Sequence, residues 1–241
     1  MQVRNGKKAE IKRKIFENEG KTREKSGIRN LKIRKGLFIS FEGGEGTGKS
    51  TQVGLLADKL SEQGNLVHIT REPGGTELSE EIRKLLKTTS DIDPITEMLL
   101  MFAARREHFV KSICPMLEQG YTIICDRFYD SSLVYQGVLK NIPIEQIVQL
   151  KIMTLGDFEP DFTIILDIPP SIAKERIQHR QLYLDNYDMM SENEYDIIRN
   201  GFKKIAEIFP FRCKLINASG DEKKVFSRIC KVIEKFMAQK S

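Results

Sequence analysis

The chain has 241 residues, of which 40% are hydrophobic and 30% are charged, and its formal net charge is +5. This length allows one substantial core but not two large domains. No apolar run approaches the ~20 residues of a membrane span, and the four cysteines and three histidines show no metal-ligand spacing. These features argue against a membrane protein, a disulfide scaffold and a zinc protein, and with no signal-peptide pattern we expect a cytoplasmic enzyme.

The basic charge is concentrated at the N-terminus. Thirteen Lys and Arg against four Glu give residues 1–35 a net charge of +9, so the remaining residues carry about −4. This segment lacks sustained apolar periodicity, and we expect a disordered extension followed by a single domain over residues 36–241. Three interpretations remain open for the extension: a solvated tail, an arm that contacts nucleic acid or a membrane surface, and a targeting or artefactual segment.

From residue 36 onward, short apolar strands alternate with longer amphipathic helices. The predicted strands are 37–41, 66–70, 122–125, 162–167 and 214–217. The predicted helices are 49–63, 77–86, 95–118, 144–155, 171–179, 194–209 and 221–237. This alternation predicts an α/β fold, with a five-stranded parallel sheet between two layers of helices.

A glycine-rich loop lies between the first predicted strand and the first predicted helix. Its sequence matches G-x-x-x-x-G-K-[ST] with the residues Gly43, Gly44, Glu45, Gly46, Thr47, Gly48, Lys49 and Ser50. In this context the backbone N–H groups cradle a polyphosphate, Lys49 contacts its outer phosphates, and the Ser50 hydroxyl can bind Mg²⁺. A chance glycine-rich turn is the alternative, and the flanking strand and helix argue against it.

Polar residues also follow the second and third predicted strands. Arg71 begins the segment Arg-Glu-Pro-Gly-Gly, and Asp126 with Arg127 closes the third strand. In parallel sheets the ligand site lies at the carboxyl ends of the strands, so these residues should share a cleft with the glycine loop. Asp126 is a candidate Mg²⁺ ligand and Arg127 a candidate phosphate ligand. An ordinary turn at Arg71 and a structural ion pair at Asp126 are the alternatives.

Two further groups could bind a nucleoside. Phe102 and Arg106 lie four apart on one face of a predicted helix, as a ring and a guanidinium that contact a base would. Tyr135 and Gln136 could contact a sugar and a base through the phenol and the amide. A core phenylalanine, a solvated arginine and a helix end capped by Gly137 are the alternatives.

The chain resembles the bacterial thymidylate kinase family from residue 37 to about residue 237. Four motifs carry the resemblance in order: residues 41–51, residues 71–76, residues 100–106, and residues 126–128 followed by 135–137. The resemblance implies a P-loop NTPase fold with a small helical lid, ATP as phosphoryl donor, dTMP as acceptor, Mg²⁺ as cofactor, and a homodimer. It also implies that Thr51 belongs to the ATP site.

The resemblance further assigns roles to individual residues. Phe102 is implied to stack on thymine, Arg106 to contact a base carbonyl, and Ser132 and Gln136 to lie at the base. Tyr135 is implied to pack on the deoxyribose, where it disfavours a 2′-hydroxyl. The acceptor phosphate is implied to contact Arg71 and Arg127, with Glu45 near it and the 3′-hydroxyl.

The predicted lid, residues 176–192, departs from the family pattern because Asn186 stands where the family has an arginine. The glycine loop contains no arginine of its own. We therefore expect Arg180, together with Arg176, to reach the transferring phosphoryl group, the alternative being a solvated helix face. Two other functions are considered: a different nucleoside or nucleoside-monophosphate kinase, and an ATP-switched protein that binds nucleic acid through residues 1–35.

Overall fold

The computed structural model describes residues 36–179 and 190–240. Five strands form the sheet: β1 (Phe38–Glu42), β2 (Val67–Arg71), β3 (Thr122–Asp126), β4 (Phe162–Asp167) and β5 (Cys213–Asn217). The first helices are α1 (Lys49–Glu62), α2 (Glu77–Thr88), α3 (Pro94–His108), α4 (Cys114–Glu118) and α5 (Tyr129–Ser132). The remaining helices are α6 (Ile144–Leu155), α7 (Pro170–Gln178), α8 (Glu192–Ile208) and α9 (Glu222–Lys240). Among these elements, no helix is both long and apolar enough to cross a membrane.

The sheet is parallel, with strand order β2-β3-β1-β4-β5. The pairing sets Phe41 beside Asp126 and Arg71 beside the same residue. The carboxyl ends of β1, β2 and β3 therefore meet at one edge of the sheet, which is where the glycine loop begins.

Neighbouring residues of β1 supply the cores on the two faces of the sheet. Phe38 packs with Phe102 and Phe128 on one face, whereas Ile39 and Phe41 pack on the other. Side chains alternate between the faces of a strand, so a strand covered on both sides reads as a continuous apolar run. Strand β1, which leads into the glycine loop, is therefore buried on both faces of the sheet.

A single helical run from α3 to α4 passes through a π-helical segment, Phe109–Ile113. Pro115 is the second residue after this segment and has no backbone N–H to donate to the preceding turn. Its ring would also clash with the carbonyl of the previous turn in a regular α-helix, and a local π-bulge removes both problems. The predicted helix over 95–118 is therefore one run with an internal irregularity.

The predicted fold class is confirmed, because all five strands and all seven predicted helices occur within a few residues of their expected bounds. One helical region was not predicted: α5 and the π-helical segment Leu133–Leu139 that continues it. Tyr135, Gln136 and Gly137 are buried inside this segment, so Gly137 does not cap a helix end. Residues 1–35 and 180–189 lie outside the described residues, and the domain limits and the lid stay predictions.

Candidate active site

The glycine loop adopts backbone conformations that favour glycine. Gly43, Gly46 and Gly48 have positive φ angles of 134°, 72° and 88°. A Cβ at Gly43 would lie 2.5 Å from the carbonyl oxygen of Leu166, and one at Gly46 would lie 2.6 Å from that of Ala173. The loop is therefore packed too closely against β4 and α7 for side chains at these positions.

Lys49 is buried and folded back over this loop. Its Nζ donates to the carbonyl oxygens of Gly43 at 3.1 Å and Gly44 at 2.8 Å. Burial lowers the pKa of Lys49 to about 8, and the nearby positive charge of Arg127 contributes. An anion that displaces the carbonyl contacts would favour the charged form of this lysine.

Ser50 and Asp126 form the candidate metal site. The Ser50 hydroxyl donates to Oδ2 of Asp126 at 2.6 Å, which joins the start of α1 to the end of β3. Both are hard oxygen ligands, and Mg²⁺ commonly binds one or two such groups while water and phosphate complete its octahedron. Among the described residues there is no cluster of three or more His, Cys, Asp or Glu that could hold a metal. The pair fits a magnesium ion that is held mainly by a nucleotide.

Arg127, directly after β3, contacts the glycine loop through its guanidinium. Its backbone has a φ of 70°, and its guanidinium forms an ion pair with Glu45 and donates to the Gly43 carbonyl oxygen at 2.9 Å. The guanidinium also lies over the Tyr135 ring, 5.0 Å from the centroid, and the phenol donates to Glu45 at 3.3 Å. Burial is the largest influence and would lower the pKa of Arg127, but Glu45, Tyr135, Asp126 and Glu42 together outweigh it and raise the pKa. The structure thus brings Glu45, Arg127 and Tyr135 together.

Glu42, which the sequence analysis missed, supports this arginine from within the core. Its carboxylate is fully buried and accepts bonds from the Phe128 N–H at 2.8 Å and the Ser131 hydroxyl at 2.6 Å. Ser131 Oγ in turn lies 3.2 Å from Nη1 of Arg127. Burial raises the pKa of Glu42 to about 8, and the negative charge of Asp130 adds to this shift. A raised carboxyl pKa is the signal that marks Glu42 as a candidate site residue. This signal cannot be obtained from the sequence, because the pKa depends on burial and neighbouring charges.

Two more arginines, Arg71 and Arg83, lie at or near the carboxyl end of β2. The side chain of Arg71 is 56% exposed and donates to Glu80 at 3.0 Å. Arg83, also missed, donates to the Pro73 carbonyl oxygen at 2.9 Å. Burial lowers the pKa of Arg83, and the positive charge of Arg71 lowers it further. A place where the pKa of an arginine is lowered by a neighbouring positive charge is one where an anion would be stabilised.

A buried ionic cluster is centred on Arg105. The guanidinium donates to Glu72 at 2.6 Å, to Ser132 Oγ at 2.9 Å and to the Phe128 carbonyl oxygen at 3.2 Å. His108 reaches the other oxygen of Glu72 at 3.2 Å. Such a network orients the Arg105 guanidinium rigidly. The sequence analysis did not identify Arg105 as a candidate site residue.

The structure corrects the expected arrangement of Phe102 and Arg106. Arg106 donates to the Thr154 carbonyl oxygen at 2.8 Å, on the side of α6, and is not brought to Ser132. Phe102 is only 1% exposed, and the Arg105 guanidinium lies over its ring, 4.9 Å from the centroid. Residues three and four apart both share a helix face, so the spacing did not distinguish Arg105 from Arg106.

Gln136 lies one turn beyond Ser132 and contacts Glu97 on α3. Its Nε2 donates to Glu97 Oε1 at 2.8 Å, and Glu97 Oε2 forms an ion pair with Lys140. The other polar atom of Gln136, Oε1, is buried without a hydrogen-bond partner in the structure. An unsatisfied buried acceptor is uncommon and calls for a ligand or water.

Arg176 on α7 contacts the glycine loop and the segment after β5. Its guanidinium donates to the carbonyl oxygens of Ala218 at 3.1 Å, Gly220 at 3.0 Å and Gly46 at 3.5 Å. Arg176 thereby joins the glycine loop to the segment that follows β5. Arg180 and Asn186 lie outside the described residues.

A glycine loop at the end of β1, an apposed serine and aspartate, and a separate group of arginines define a P-loop nucleoside-monophosphate kinase. Comparison with known families agrees: the thymidylate kinase family model matches residues 41–229. The chain belongs to the thymidylate kinase family.

Individual relatives support this membership. A thymidylate kinase of Symbiobacterium thermophilum is 40% identical over 206 residues, covering 85% of this chain and 95% of that protein. A thymidylate kinase of a Marinomonas species is 43% identical over 197 residues, covering 81% and 92%. The crystal structure of thymidylate kinase from Ehrlichia chaffeensis superposes with a TM-score of 0.69 at 38% identity, covering 82% and 98%.

Proposed function

We propose that the chain transfers the γ-phosphoryl group of ATP to dTMP, giving ADP and dTDP. The observation that carries this proposal is that Arg127 contacts the glycine loop at Gly43 and Glu45 while its guanidinium lies over the Tyr135 ring. A donor phosphate site and an acceptor nucleotide site would then share one arginine.

The chemistry needs positioning more than a base. The acceptor is a phosphate that is largely dianionic at neutral pH, so no strong base has to remove a proton before attack. The two polyanions must be held in line while the charge of the transition state is neutralised. Lys49, Arg71, Arg83 and Arg127 supply four positive groups around that position.

The nucleoside triphosphate is assigned to residues 43–51, including Thr51. Ser50 and Asp126 are the residues that would hold Mg²⁺, whose positive charge offsets that of the phosphates. Lys49 would leave the carbonyl oxygens of Gly43 and Gly44 for the outer phosphates. Arg176 would brace the donor side of the loop, and Arg180 remains the proposed lid arginine.

The monophosphate is assigned to the cleft between α3 and α5. Arg105 with Ser132 would contact a base carbonyl, because the geometry favours Arg105 over Arg106 at this position. Phe102 would act by supporting the Arg105 guanidinium. Tyr135 and Glu45 would lie at the sugar and its 3′-hydroxyl.

We also propose a homodimer. Helices α2 and α3 carry exposed apolar side chains at Leu78, Leu85, Ile95 and Leu99. Spacings of seven and four residues put each pair on one face of its helix, and an exposed apolar patch of this kind favours association. Sedimentation of the wild type beside Leu85→Glu would test this assignment, with a shift to monomer as the expected result.

A coupled assay of ADP release tests the function. The acceptors are dTMP, dUMP, dCMP, dGMP and thymidine, and the enzyme is assayed with and without residues 1–35. We expect a clear preference for dTMP that does not depend on the extension. Equal turnover of the monophosphates would overturn the proposal. Salt-sensitive nucleic-acid binding that is lost with residues 1–35, without turnover, would identify the nucleic-acid-binding alternative instead.

A further inference from the structure

Two hydrogen-bonded contacts join α3 to the helical segment that contains α5. Arg105 contacts Ser132, and Glu97 contacts Gln136. Glu97 and Arg105 lie eight residues apart on α3, and Ser132 and Gln136 lie four residues apart on the facing segment. Residues at these spacings share a helix face, so the two contacts lie along the same boundary between the facing helices, where the proposed function assigns the monophosphate.

The contact with Glu97 determines which end of the Gln136 amide is available. A carboxylate paired with the Lys140 ammonium can only accept hydrogen bonds. The Gln136 NH₂ group must therefore face Glu97, and the carbonyl oxygen Oε1 must face away. Gln136 is 1% exposed, and this oxygen is buried without a hydrogen-bond partner in the structure.

We propose that Glu97 is a positioning residue that sets the base specificity of the kinase by holding Gln136 Oε1 toward the cleft as an acceptor. This inference rests on the proposed function. An acceptor at this place pairs with a base that carries N–H at ring position 3, as thymine and uracil do. Cytosine has an unprotonated nitrogen there, so two lone pairs would face each other and the acceptor would stay unpaired.

The size of the effect follows from leaving buried polar groups unpaired. One such mismatch changes discrimination by roughly 10- to 100-fold. Glutamine at position 97 both donates and accepts, so the Gln136 amide would pair with it in either orientation. The flipped amide presents N–H toward the cleft and accommodates cytosine.

The experiment compares kcat/KM for dTMP and dCMP in the wild type and in Glu97→Gln. We expect the dTMP:dCMP ratio to fall roughly tenfold or more in the variant, mainly through KM, while KM for ATP changes less than twofold. Glu107→Gln is the matched control, because it removes the same charge elsewhere on α3.

Each outcome decides one question. A wild type that does not prefer dTMP to dCMP would remove the proposed function itself. A wild type that prefers dTMP, beside a folded Glu97→Gln with an unchanged ratio, would overturn only the role of Glu97. Should Glu97→Gln fail to fold, Gln136→Leu removes the acceptor oxygen directly and must also lower the ratio, and an unchanged ratio there would equally overturn the inference. Calorimetric binding of dTMP and dCMP without ATP gives the same comparison for a variant too slow to assay.

Discussion

The Ser50 hydroxyl donates to the Asp126 carboxylate at 2.6 Å, although the two residues lie 76 positions apart in the chain. The parallel pairing of β1 with β3 produces this contact, because it brings the first residues of α1 level with the end of β3. The hydrogen bond joins the two side chains that we propose as magnesium ligands.

Replacing Asp126 with Asn should therefore alter the dependence on magnesium. We expect kcat to fall by roughly 100-fold at low Mg²⁺ and to recover partly as Mg²⁺ is raised, because the amide is a weaker ligand for a hard cation. Initial rates over a Mg²⁺ titration measure this. Asp58→Asn, an exposed change on α1, should leave the titration unaltered. An Asp126→Asn enzyme with the wild-type Mg²⁺ profile would exclude Asp126 from the metal site.

Substitution at the two neighbouring arginines of α3 should separate their roles. We expect Arg105→Lys to raise KM for dTMP roughly 10- to 100-fold, because lysine cannot contact Ser132, Glu72 and the base with a planar fork. Arg106→Ala loses one bond to a carbonyl oxygen, and KM should change less than about twofold. Thermal melts of both variants control for folding. A larger KM effect at Arg106 would restore that residue to the base site.

Nucleotide binding should take up protons at alkaline pH. The pKa of Lys49 is about 8 in the structure because of burial, and contact with phosphates should raise it. Uptake on ATP binding should then be roughly 0.1 proton at pH 7, 0.5 at pH 8 and 0.9 at pH 9.

Calorimetry in buffers of different ionisation enthalpy measures this uptake. Lys231→Met, an exposed change on α9, should give the same values. Uptake that does not change between pH 7 and pH 9 would contradict the role of Lys49.

Glu42 should make the fold less stable as pH rises. Its pKa is about 8 in the folded state, above the unfolded value of 4.5, so the folded state holds the proton more tightly. The stabilisation is complete below about pH 4.5 and is lost as pH rises toward 8.

Glu42→Gln removes the charge, keeps the bond from the Phe128 N–H and can donate its NH₂ group to Ser131 Oγ, so we expect it to be more stable than wild type at pH 8.5. The expected gain is on the order of a few kcal/mol, and it should disappear near pH 4.5. Denaturant unfolding across this range tests it, with the exposed Glu81→Gln as control. A stability difference that is constant with pH would show that Glu42 is not the titrating group. Because Glu42 bonds Ser131, which contacts Arg127, we also expect a lower kcat in this variant.

The sequence by itself determined the sheet, its flanking helices and the glycine loop. Each of these has a local signal: an apolar run for a buried strand, helical periodicity, or glycines where side chains cannot fit. Gly43–Ser50, Arg71 and Asp126 with Arg127 could be grouped in advance, because parallel strands present their carboxyl ends at one edge. Helix α5 was not predicted from the sequence, because it is buried throughout and shows no amphipathic pattern.

Only the tertiary structure decided which side chains within those elements meet. Spacing could not choose between Arg105 and Arg106, since both share the helical face of Phe102, and packing against α6 made the choice. Glu42 carries no local signal of its role, because its partners lie 86 and 89 residues further along the chain. The pairing of Glu97 with Gln136 likewise depends on how two helices face each other. Local sequence fixes a residue's conformation, but hydrogen-bond partners, burial and pKa arise from contacts between distant segments.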